Sequence, residues 1–191
     1  MIRYVLALLL MATPALAQGT GLEAWRKIHE VFSHPRCSNC HVGPDHVPIW
    51  SGASYGTKAR PHGMNISGGA SRKGAEHIPC SSCHTHNNSQ LPHGPPGAPP
   101  PRHGADWWRL PPVEMQWFGK SSAEICAQIK DPARNGGLTI PKVAEHIEHD
   151  PLVHWGWKPG PGREPAPYSI TQLIEYLKQW EAADAPCPTA R

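Results

Sequence analysis

Cys37-Ser38-Asn39-Cys40-His41 and Cys80-Ser81-Ser82-Cys83-His84 are the two stretches on which this sequence turns. Each is a C-x-x-C-H pattern, and the spacing has a chemical reason. Two thiols three positions apart reach the two vinyl groups of one porphyrin, and the next residue then lies beneath the iron as a proximal imidazole ligand. The two copies predict two covalently bound haem c groups, held by Cys37, Cys40 and His41 and by Cys80, Cys83 and His84. A four-cysteine zinc site also uses paired C-x-x-C, but its pairs usually stand about 15–20 residues apart and it needs no histidine after each. A thiol-redox C-x-x-C belongs with a βαβ pattern, which is absent.

The composition agrees with an unusual interior. Leu, Ile, Val and Phe supply only 32 of 191 residues, a poverty that ordinarily signals disorder, yet the formal net charge of +3 is too small for a disordered chain. Pro 23 and Gly 18 imply long irregular connections rather than packed sheets. Each buried porphyrin removes about 500 Å² of apolar surface from water, roughly 12 kcal/mol as an upper figure. The fold class expected is therefore mainly α with long irregular loops, a dihaem cytochrome c-like core organised around two covalent haems. Without haem the chain is predicted to be largely unfolded. The small charge argues for neither nucleic acid nor a membrane surface as partner.

Arg3, the apolar run Val5 to Ala12 and Ala15-Leu16-Ala17 form a secretory signal cleaved after Ala17, and the run is too short to span a bilayer. The prediction is a periplasmic protein with no stable membrane insertion: signal peptide 1–17, then one domain 18–191. That domain divides into a loop-rich haem-attachment half, 18–119, and a helical half, 120–191. In the first half only 21–33 reads as a helix, from Leu22, Trp25, Ile28 and Phe32. In the second, Ser121 with Glu124 opens a helix through Lys130, and Thr139 caps one reaching His149. Ser169 with Gln172 opens 170–183, whose stripe is Ile170, Leu173, Ile174, Leu177 and Trp180.

Cys126 and Cys187 remain, and an oxidising compartment predicts a disulfide between them. It closes a loop of about 62 residues, worth roughly 4 kcal/mol by chain-entropy arithmetic. For the iron positions opposite His41 and His84, the candidate metal ligands are His62 and His146. His62 lies in His62-Gly63-Met64-Asn65 between the motifs, with Met64 as its competitor. His146 borders the apolar stripe Ile140, Val143, Ala144 and Ile147, while His149 points nearly opposite. His29 falls on the apolar side of its helix, where a satisfied core histidine is the ordinary outcome. His86 and His93 are close to the second motif but too constrained, or too exposed, to bind its iron. Trp107, Trp108, Trp117, Trp155 and Trp157 divide between porphyrin stacking and plain core packing.

With those residues in view, the chain resembles the small exported dihaem c-type cytochromes labelled isoquinoline 1-oxidoreductase subunits. The residues that carry the resemblance are Arg36 to His41, His62 to Asn65, Ile125-Cys126-Ala127-Gln128-Ile129-Lys130-Asp131-Pro132-Ala133-Arg134-Asn135-Gly136-Gly137 and Asp150-Pro151-Leu152-Val153-His154-Trp155-Gly156-Trp157; it covers roughly Trp25 to Pro188. It implies a redox partner, a molybdenum hydroxylase-like dehydrogenase, with a downstream cytochrome or oxidase beyond. The chain has no molybdopterin or ferredoxin-like signature, so it takes the electron-accepting part. A looser resemblance is to the dihaem subunit of periplasmic nitrate reductase, where a loop histidine placed as His62 is relative to His84 serves the second haem. No upstream histidine matches for the first haem.

The expected function is periplasmic electron transfer by a dihaem cytochrome with no catalytic residue of its own. The alternatives are a haem enzyme or gas sensor with one open iron position, small-peroxidase-like, in which a loop histidine acts as acid and base, and a histidine-rich metal-handling protein.

Overall fold

The computed structural model describes residues 19–56, 58–75, 78–100 and 108–189. The signal segment 1–17 and Trp107 lie outside them. Among the described residues the chain is mainly helical, with α1 (19–32), α2 (Pro35–Ser38), α3 (Ser122–Lys130), α4 (Ile140–His149), α5 (Pro151–His154) and α6 (Ile170–Ala182). Extended pairing is limited to two small antiparallel ladders. In one, β1 (Ile49–Trp50) meets β2 (Arg60–Pro61), and in the other β3 (Gly74–Ala75) meets β4 (Ile78–Pro79). No helix among these residues is long and apolar enough to cross a membrane.

The helix starts follow the sequence signals. Ser121 and Glu124 form a reciprocal capping box at α3, and Ser169 and Gln172 do the same at α6. Thr139 differs: it stands at the N-cap of α4 but its hydroxyl makes no capping bond, and Pro141 in the first turn lowers the number of amide donors that need one. On α6 the buried residues are Leu173, Leu177 and Trp180, and this stripe packs on Val143, Ala144 and Ile147 of α4. Trp25 of α1 meets Trp180 with ring centroids 4.8 Å apart and donates its indole N–H to Ser122 Oγ at 2.9 Å. Leu22, expected on the apolar stripe of α1, is exposed. The C-terminal segment packs on the neighbouring Gly21 instead, so closely that a Cβ there would stand 2.7 Å from Ala183 and Pro186.

Among the described residues the apolar core is built mainly from helices. Its buried cluster is drawn from α1, Trp117, α3, α4, Ala166, α6 and Ala185, and takes no residue from 33–116. Tryptophans compensate for the scarce aliphatics, since one indole buries far more apolar surface than a valine. The core therefore joins α1 and Trp117 of the 18–119 half to the helices of the 120–191 half, while between 33 and 116 the buried apolar residues are Val42, Ala98 and Leu110 and Cys37 packs partly buried against the cluster. Cys126, fully buried on α3, is joined to Cys187 beyond α6.

Candidate haem-attachment site

The two C-x-x-C-H stretches fold alike. In the first, the Cys40 and His41 amides both donate to Cys37 O, at 3.2 and 3.3 Å; in the second, those of Cys83 and His84 donate to Cys80 O, at 3.2 and 2.9 Å. One tight turn thus brings residues i, i+3 and i+4 to one side, as a porphyrin edge and its proximal ligand require. Local sequence explains both turns. Pro35 opens α2, with His34 Nδ1 accepting the Arg36 amide at 3.2 Å, and the second turn hangs from β4, with the Cys80 amide donating to Lys73 O at 2.7 Å.

All four motif cysteines are free thiols. Burial pushes Cys37 up to about 12, with Cys40 alongside adding to it, and burial pushes Cys40 up to about 11. A thiol-redox pair needs a thiolate near neutral pH, so this environment opposes that chemistry. Cys80 lies close enough to raise Cys40 further, which places the two motifs within electrostatic reach of each other.

The imidazoles are more telling. His41 Nδ1 lies 2.8 Å from Met115 O, and a carbonyl only accepts, so the proton sits on Nδ1 and Nε2 keeps a bare lone pair. Burial pushes His41 down to about 4, against the effect of the Met115 bond and with help from nearby His146. Its ring stacks on Trp117 at 3.5 Å, Trp117 stacks on Phe32 at 4.5 Å, and the Trp117 indole is held by buried Gln128 Oε1 at 2.8 Å. His84 repeats the design. Its Nδ1 donates to Pro96 O at 3.1 Å, its ring stacks on Trp108 at 4.4 Å, and burial, then His62 nearby, bring it down to about 4. A neutral ring with Nδ1 tied to a carbonyl and Nε2 free is the state a metal-bound histidine adopts.

The structure brings His62 to His84, with ring centroids 5.9 Å apart and planes inclined at 45°. Two imidazoles sharing one metal at about 2 Å each have centroids about 6 Å apart, so this spacing fits a bis-histidine iron. His62 also donates from Nδ1 to a carbonyl, Gly63 O at 2.8 Å, and the β1–β2 ladder positions it through its amide bond to Pro48 O. Its competitor Met64 is 83% exposed. His146 lies within electrostatic reach of His41 but is half exposed, with Nδ1 3.6 Å from Asp150 Oδ2. His149 is more exposed still and faces Glu148. His29, expected to be a satisfied core histidine, has its Nε2 buried without a hydrogen bond.

Several supporting groups escaped the sequence reading. Met115 O and Pro96 O are backbone acceptors and carry no side-chain signal. Trp108 and Trp117 were among several equivalent tryptophans, and Gln128 is an ordinary helix residue until its partner is known. His46 has the same Nδ1-to-carbonyl arrangement, toward Gly69 O, in the loop after the first motif. No group of three or more His, Cys, Asp or Glu among the described residues is placed to hold a metal ion, a larger set than the one or two side chains a haem iron takes. Compared with protein-family models, curated proteins and solved structures, the chain matches none.

Proposed function

We propose that this chain is an exported dihaem c-type cytochrome that relays single electrons between a partner dehydrogenase and a downstream acceptor. The observation that carries the reading is the pair of neutral, carbonyl-tethered imidazoles, His41 and His84, each on the turn of a C-x-x-C-H motif and each with Nε2 free. Each haem, when bound, supplies an iron that gains and loses one electron. The chain's part is to hold and orient. Cys37, Cys40, Cys80 and Cys83 would hold the two porphyrins, His41 and His84 would offer Nε2 to the irons, and His62 would be the further ligand of the second haem. His146 is the proposed partner of His41. Burial holds both rings neutral near neutral pH, the form in which an imidazole nitrogen can bind a metal.

The signal-like segment supports export to the periplasm, and the resemblance to isoquinoline 1-oxidoreductase-labelled cytochromes supports a molybdenum hydroxylase-type donor. One observation favours the second reading, a haem enzyme or gas sensor with one open iron. His146 is half exposed and engaged with Asp150, so an open position would belong to the first haem. The test is a pyridine haemochrome count with the visible spectrum of dithionite-reduced protein, with and without carbon monoxide. Two haems per chain and bands indifferent to carbon monoxide uphold the relay. A large shift with carbon monoxide replaces it by the second reading, and absence of covalent haem overturns both.

A further inference from the structure

Arg36 and Arg163 are separated by most of the chain and converge on the same two rings. The Arg36 guanidinium carbon lies 5.9 Å from the Tyr55 ring centroid and 5.5 Å from that of Trp155, and the Arg163 carbon lies 6.0 Å from each. The Arg36 side chain is 2% exposed. It donates from Nη2 to Ser51 O at 2.9 Å and faces Glu164 Oε1 at 3.8 Å, while its buried Nε has no acceptor. Half-buried Arg163 meets only neutral oxygens: Tyr55 Oη at 2.8 Å, Gly94 O at 2.6 Å and Pro159 O at 3.3 Å. His93, whose ring stands 4.6 Å from Tyr55, has a buried Nδ1 without a partner. Gly52 lets the chain pass this cluster, since at its φ of 119° a Cβ would fall 2.0 Å from Glu164 Oε1.

The charge count is the anomaly. Two guanidinium groups face one carboxylate, Glu164, and a cation removed from water without a counter-charge is costly. Arg36 Nε and His93 Nδ1 lie around the same tyrosine without hydrogen-bond partners, and Glu164 Oε1, 3.8 Å from the Arg36 guanidinium, makes no hydrogen bond either. A planar acceptor suits a guanidinium fork, which narrows the missing anion to a carboxylate or a phosphate. Position narrows it further. Arg36 directly precedes Cys37, and Arg163 donates to Gly94 O, two residues before the Pro96 carbonyl that holds His84, so the cluster lies between the two attachment turns.

Resting on the dihaem reading, we propose that Arg163, seconded by Arg36, is the docking point of a haem propionate, that of the haem carried by Cys80 and Cys83. This gives half-buried Arg163, which has no carboxylate of its own, a counter-charge and pins the porphyrin edge remote from the thioether bonds. The cation favours the reduced, less positive iron, so its removal lowers that haem's midpoint potential.

The experiment is redox-difference infrared spectroscopy on holoprotein whose haem propionate carboxylates carry ¹³C, with midpoint potentials measured alongside, for Arg163→Gln, Arg163→Lys and Arg36→Gln. The expected result is a labelled carboxylate band that shifts in Arg163→Gln and in Arg36→Gln, with one midpoint lowered, and that Arg163→Lys partly restores. Half-buried Arg163 carries the test if the Arg36 variant fails to fold. A labelled band unmoved in Arg163→Gln overturns the proposal, even if a potential falls, because charge then acts only at a distance. Two haems by pyridine haemochrome with an unmoved band leave the relay reading standing without this contact; no covalent haem removes both.

Discussion

Removing the Cys126–Cys187 bond should cost this protein about 4 kcal/mol. The two cysteines are 61 positions apart, so the closed loop spans α3 to the C-terminal segment and includes α4, α5 and α6. Chain-entropy arithmetic for a loop of that length gives roughly 4 kcal/mol at 25 °C from the constrained unfolded state. Folded-state contacts then hold the same junction. The Trp180 indole donates to Pro186 O at 2.9 Å and Lys130 Nζ to Ala185 O at 2.7 Å, so the C-terminal segment stays docked when the sulfurs part. Cys126→Ala/Cys187→Ala is therefore expected to remain folded but weakened. With an m-value of roughly 2 kcal/mol per molar urea, the midpoint falls by about 2 M. The assay is equilibrium urea unfolding followed by far-UV circular dichroism, which reports the helices the loop encloses. A thiol reductant should reproduce the shift in the natural chain, because haem thioether bonds survive it. A midpoint change below about 0.5 M would refute the unfolded-state argument. Alkylation of both cysteines without reductant would show that the bond does not form.

Three further outcomes follow from the geometry. His62→Ala should open the second iron, so that the reduced spectrum shifts with carbon monoxide, whereas Met64→Ala should leave it unchanged; equal behaviour of the two variants would remove His62 as the ligand. With all four motif cysteines changed to alanine, the chain should keep most of its helical circular dichroism while 42–110 becomes the preferred site of limited proteolysis, because the core cluster takes no residue from 33–116; loss of the helical signal would show that haem supports both halves. In that haem-free chain, stability should fall as the pH drops from 6.5 toward 4. Unfolded His41 takes up a proton near its ordinary value while the folded ring, held at about 4, does not, so the stabilisation is present above pH 6.5 and lost on acidification. At about 1.4 kcal/mol per pH unit the loss is on the order of 3 kcal/mol. Urea titrations across that range check it, and His41→Gln should remove the His41 share while His84, also held at about 4, keeps its own.

Sequence alone carried the features whose chemistry is local. C-x-x-C-H fixes which atoms can reach one porphyrin because the spacing spans a single turn. The capping boxes at Ser121 and Ser169 and the stripe Leu173, Leu177, Trp180 were equally legible, since a helix start and a helix face depend on neighbours within a few positions. The pairing of Cys126 with Cys187 was reached by elimination among six cysteines rather than by distance.

Everything that needed two remote segments to meet waited for the tertiary structure. Which nitrogen of His41 carries the proton depends on Met115 O, 74 positions away. Met64 and His62 were rivals on sequence; the fold left Met64 exposed and set His62 beside His84. Arg36 and Arg163 share two rings only because the loops on either side of the second motif fold back together. The same holds for the core: composition registers how few aliphatics there are, while their gathering with α1 and Trp117 into one helical cluster is a matter of packing. Local spacing sets what a residue can do, and the long-range fold sets the partner that makes it do so.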